Sequence, residues 1–185
     1  INNEFKAQFA EVQKLQKDFP YHVINHTLFS NEKVIKDAHL REAKSRLESR
    51  FEGKIDAATY YMKSSPYSEN IENKEFTKEF NERDRNVIIF SHDFYDSPHC
   101  NRCLLYSDLF QFLNLLLENI KDVQGTTFWV KPHPNGVGDT GERTKALVES
   151  FNSDYIKIID TDVSNKQIVN LRPDLVVTAR GTVGI

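Results

Sequence analysis

Apolar positions follow two patterns along the chain. Up to about residue 85 the chain is polar and charged, and its apolar residues recur at helical spacing. Phe5, Phe9, Val12, Leu15 and Phe19 predict an amphipathic helix over about 3–18, which Pro20 ends. A second helix, rich in Lys, Glu, Arg and Ala, is expected over 31–51. Asp56 is placed to N-cap a short helix through Met62. Residues 64–68 read as a loop, and 68–85 as a charged linker with a short helix. Beyond residue 85 the apolar residues cluster into short continuous runs instead. Strands are expected at 87–90, 126–130, 155–159 and 175–178, separated by helices over 104–120, 140–151 and 164–170, the last capped by Ser164. This alternation predicts an α/β fold. Residues 1–84 form a mainly helical segment and linker, and residues 85–185 form a Rossmann-like parallel sheet covered by helices.

Composition narrows the picture. The mean hydropathy of −0.55 is low. Even so, 13 Phe and 7 Tyr in 185 residues argue for a folded chain, because disordered segments are poor in aromatics. A net charge of −3 with no basic block gives no reason to expect nucleic acid as a partner. No run approaches the roughly 20 apolar residues of a membrane span. Ile1-Asn2-Asn3 resembles no signal peptide, and two Cys are too few for a disulfide scaffold, so a cytoplasmic setting is expected. The chain starts without Met and stops at Gly184-Ile185, just after a strand. The expectation is a fragment of something longer.

In open parallel sheets, ligands bind outside the carboxyl ends of the strands. The loop after the first strand begins Ser91-His92-Asp93 and is dense in polar, proton-carrying groups; it reads as a binding loop or as a surface loop with capping residues. After the second strand, Lys131-Pro132-His133-Pro134 holds a His between two stiffening prolines beside a Lys. That pair suits an anionic ligand; the plainer reading is a rigid turn with an incidental His. After the fourth strand, Arg180, Gly181, Thr182 and Val183 form a glycine-bearing turn that can cradle phosphate with backbone N–H groups, or simply join strand to helix. Cys100 and Cys103 form a CxxC motif. Thioredoxin-like redox chemistry and a zinc site with His99 and His92 are two readings; the third is two helix residues, one or both buried. The third is expected, because redox chemistry leaves the Lys131 and Arg180 loops unexplained and a single CxxC is thin support for zinc. No metal ligand is assigned.

Three segments, in order, carry a family resemblance that covers about residues 40–185. Val87 to His99 resembles the first strand and loop of the second domain in bacterial capsule and surface-polysaccharide biosynthesis proteins. Trp129 to Asn135 resembles their "HP" motif, and Asp174 to Ile185 their glycine loop. These are GT-B glycosyltransferases, built from two Rossmann-like domains around a cleft. The layout is also similar to that of UDP-N-acetylglucosamine 2-epimerases and teichoic-acid polymerases. The resemblance implies a partial C-terminal GT-B domain that holds a UDP- or CMP-linked sugar donor as substrate, with no cofactor. It implies that His133 contacts the donor phosphates with Lys131 nearby. Gly181, Thr182 and Val183 would offer N–H groups, and His92 would approach from the first loop. The implied partner is a glycan or lipid-linked acceptor, with association at the inner-membrane polysaccharide assembly machinery. The Glu that commonly follows the glycine loop is not in this chain, so the fragment alone is expected to be inactive. The alternatives are a nucleotide-sugar 2-epimerase, a nucleotide-binding or interaction module, and a thiol redox protein.

Overall fold

The computed structural model describes residues 37–56, 59–60, 62, 65–68, 72–96 and 106–179. The expected helix over 3–18, the Cys100 and Cys103 pair, and Arg180, Gly181, Thr182 and Val183 lie outside the described residues. Four strands, β1 (Asn86–Phe90), β2 (Thr127–Lys131), β3 (Ile156–Ile158) and β4 (Leu175–Thr178), pair in the order β3-β2-β1-β4. All three pairings are parallel. The helices are α1 (Asp37–Phe51), α2 (Lys74–Asn81), α3 (Leu109–Ile120), α4 (Thr140–Ser150) and α5 (Asn165–Leu171). The expected Rossmann-like α/β class is the observed one.

Both faces of the sheet are covered, which is why β1 and β2 read as unbroken apolar runs. Side chains alternate across a strand. Val87, Ile89, Phe128 and Val130 therefore share one face, where they pack with Leu113 and Leu117 of α3 and Val148 of α4. Ile88 and Trp129 take the other face, with Phe76 and Phe80 of α2 and Ile168 of α5. The chain steps from β1 to β2 to β3 through α3 and α4 on the first face. It then returns past β1 to β4 through α5 on the second. Reversing direction and face together gives every crossover the same hand, and parallel connections almost always take the right hand.

Asn86 ties four elements together at the start of β1. Its side-chain amide donates to the Phe80 carbonyl at 3.1 Å, and its Oδ1 accepts from Trp129 Nε1 at 2.7 Å. Its backbone N–H donates to Asp174 Oδ2 at 2.7 Å, and its carbonyl accepts from Asp174 N at 2.9 Å. A buried indole N–H needs such a partner.

The short helix expected within the 68–85 linker is α2, whose Phe76 and Phe80, one helical turn apart, pack on Trp129 with ring centroids at 5.3 and 6.0 Å. The change in composition near residue 85 therefore does not mark the edge of the packed core. The helix expected from residue 104 is observed from Leu109. Asp108 caps it there, accepting from Gln111 N at 2.7 Å, while Ser107 N donates to Gln111 Oε1 at 2.8 Å. Asp56 makes the expected capping contact, and the described residues 59 and 60 beside it lie in a turn. The Asp56 carboxylate accepts from both Thr59 N and Thr59 Oγ1.

The end of α1 docks closely on the rest of the chain. Gly53 has φ +84°, and a Cβ there would stand 2.9 Å from Ser68 Cα. Phe51 meets Tyr67 edge-on at 5.3 Å, and Asn165 N donates to the Pro66 carbonyl at 2.8 Å. These contacts fix the segment around Pro66 at the start of α5.

Candidate functional site at the carboxyl edge of the sheet

β1 sits between β2 and β4, so the chain leaves it toward one neighbour first and reaches the other last. That divergence is a topological switch point, where open α/β sheets form their ligand crevice. His92 from the end of β1 and Thr178, the last residue of β4, meet there, with His92 Nε2 and Thr178 Oγ1 3.4 Å apart. Two of the sequence-predicted regions thus converge, the β1 loop and the end of β4.

Beside them, Asp93 joins the β1 loop to the loop between β2 and α4. Asp93 as a residue is 7% exposed. Its Oδ2 accepts from Val137 N at 2.8 Å, and its Oδ1 accepts from Thr140 Oγ1 at 2.8 Å and Tyr95 N at 3.1 Å. Tyr95 strengthens the same junction by donating its hydroxyl to Asp139 Oδ1 at 2.8 Å. The Tyr95 ring also lies where a Cβ on Gly138 would fall, at 3.0 Å, and Gly138 has φ +59°. A side chain at Gly138 is disfavoured on both counts. Burial raises the Asp93 pKa, but the hydrogen bonds from Tyr95, Val137 and Thr140 outweigh it and hold the carboxylate below its usual value.

His133 follows β2 in the same loop and is half-buried. Its carbonyl accepts from Gly136 N at 3.2 Å, closing a turn, while its Nδ1 is buried without a hydrogen-bond partner. Burial lowers the imidazole pKa. The Asp93 and Asp96 carboxylates and the Asn135 backbone pull the other way but do not offset it. At neutral pH the ring is therefore uncharged. A neutral imidazole with an unused nitrogen can accept or donate one hydrogen bond to a ligand. Ser91, directly after β1, is a second group of this kind: its hydroxyl is buried and unpartnered.

Lys131 is placed differently from what its sequence neighbourhood implies. It is 2% exposed and shares the Trp129 face of the sheet by strand alternation. Its Nζ donates to the Val163 carbonyl at 2.6 Å and the Asp160 carbonyl at 3.5 Å. Burial lowers its pKa to about 8, against the pull of Asp162 and Asp160. The ammonium that the sequence offers to an anion is used to hold the loop between β3 and α5.

Sequence reasoning singled out His92 and His133 but passed over Asp93, Thr140 and Thr178. Thr178 had a signal, as a polar residue ending an apolar strand. The pairing of Asp93 with Thr140, which lie 47 positions apart, had none. Among the described residues, no group of three or more His, Cys, Asp or Glu is placed to hold a metal ion. No helix among them is long and apolar enough to cross a membrane. Comparison with protein-family models, with curated proteins and with solved structures finds no match to this chain.

Proposed function

We propose that the chain is part of a GT-B glycosyltransferase. In this reading it holds the nucleotide-sugar donor, UDP- or CMP-linked, for sugar transfer to a growing bacterial capsule or surface polysaccharide. The observation that carries this reading is the meeting of His92 and Thr178 at the switch point, with the His133 loop stitched alongside. The sequence resemblance of the same segments to polysaccharide biosynthesis proteins supports it. Donor phosphates lie against the carboxyl edge, and His133 gives them a hydrogen bond rather than a fixed charge. The acceptor is a glycan or lipid-linked chain, met at the cytoplasmic face of the inner membrane alongside the polysaccharide assembly machinery. Stabilising the leaving nucleotide by hydrogen bonds and helix ends is a general route to sugar transfer.

Calorimetry with UDP and with CMP tests this directly. One of the two binds, and His133→Ala weakens it by about tenfold, the worth of one hydrogen bond to a charged group. If the chain binds neither nucleotide, or His133→Ala binds as well as the unaltered chain, the assignment fails. A 2-epimerase would use the same site without an acceptor. Incubation with a nucleotide sugar alone, followed by analysis for the 2-epimer, separates the two reactions.

A further inference from the structure

We infer that Asp93 is a positioning residue, which locks the loop at the end of β1 to the loop between β2 and α4 and thereby presents the His133 imidazole to ligand in one orientation. The inference rests on the proposed role of His133, but its geometry stands apart from it. Asp93 is buried, and it receives three hydrogen bonds from two different loops. Two come from Val137 and Thr140, which bracket the start of α4, so the carboxylate fixes where the loop that carries His133 ends. The Pro residues on either side of His133 fix the start of that loop. A loop held at both ends has little freedom to turn its imidazole.

A plain packing residue would not need a charge here. The single proton of the Thr140 hydroxyl has an alternative acceptor in the Val137 carbonyl, at 2.9 Å. Asp93 therefore adds a carboxylate to a turn that is partly satisfied without it. The charged groups that act on His133 are Asp93 and Asp96, both in the β1 loop. Of these, Asp96 is exposed and screened by water, while Asp93 is buried. Asp93 is thus the carboxylate whose removal the imidazole registers most.

The test uses the 185-residue chain and Asp93→Asn, which keeps the shape and removes the charge. Three readouts are taken: the His133 titration by NMR, exchange of the Val137 amide, and affinity for UDP and CMP by calorimetry. The His133 midpoint is expected to move to lower pH, and Val137 exchange to quicken by about tenfold as its charge-assisted bond weakens. Nucleotide affinity should fall by about tenfold in the native background but by less than about twofold when His133 is already Ala. Equal losses in both backgrounds would mean that Asp93 does not act through His133, and would overturn the inference. So would an unmoved His133 midpoint. If the unaltered chain binds neither nucleotide, the proposed function fails. Asp93 then stands or falls on the titration and exchange readouts, where no change overturns it.

Discussion

Lys131 ends β2 with an ammonium that reaches the carbonyls of Val163 and Asp160, about 30 positions later in the chain. Folding removes that charge from water, and the structure returns only part of the lost solvation. The folded Lys131 titrates at about 8 against 10.5 for the exposed side chain. Between those values the unfolded chain holds more protons, so stability rises with pH across that window. The rise is about 3 kcal/mol at most, from the size of the shift. In Lys131→Met the rise disappears, and urea midpoints measured below and above the window check it. A variant with the same slope as the native chain would show that Lys131 is not the buried base. The direction of this side chain could be read from strand alternation, which puts Lys131 on the Trp129 face. Its partners could not, because they sit on a loop whose position depends on the whole sheet. His92 and His133 were easier to find, since each lies two positions past the end of a strand.

The eight residues of α2 carry more of the core than their length suggests. Phe76 and Phe80 are buried, and both contact Trp129. Gln167 of α5 holds the helix start, with Nε2 donating to the Asn73 carbonyl at 2.8 Å and to Thr77 Oγ1 at 2.9 Å. Phe80→Ala should cost about 3–5 kcal/mol, the usual range for an aromatic removed from a core. Guanidinium unfolding followed by Trp129 fluorescence measures it, and a cost near zero would mean that α2 is a tether. The four strands and three of the following helices could be read because apolar runs and helical spacing repeat within each element. For α2 a short helix could be expected, but its part in the core could not, because the signal is one pair of Phe residues among charges. Short helices held by tertiary contacts show little of that support in their own sequence.

Across the whole molecule, protection is uneven. β1 and β2 have a neighbour on each side and helices over both faces. β4 has one neighbour among the described residues, and its Leu175 and Val176 are 56% and 41% exposed. Amides of Ile88, Ile89, Trp129 and Val130 should therefore exchange slowest, at least about tenfold slower than those of Val176 and Val177. Hydrogen exchange followed by mass spectrometry or NMR reads this, and equal protection in β4 would contradict it. The order of assembly follows from the same strand order. β1 is the first of the described strands yet lies inside the sheet, and its second neighbour is the last strand described. The clamp between Asn86 and Asp174 spans 88 residues. Contacts of such long separation form late, because a long loop must close before they gain anything. Through synthesis and early folding, the apolar flank of β1 that β4 later pairs with stays open, and that is when this chain is most exposed to aggregation.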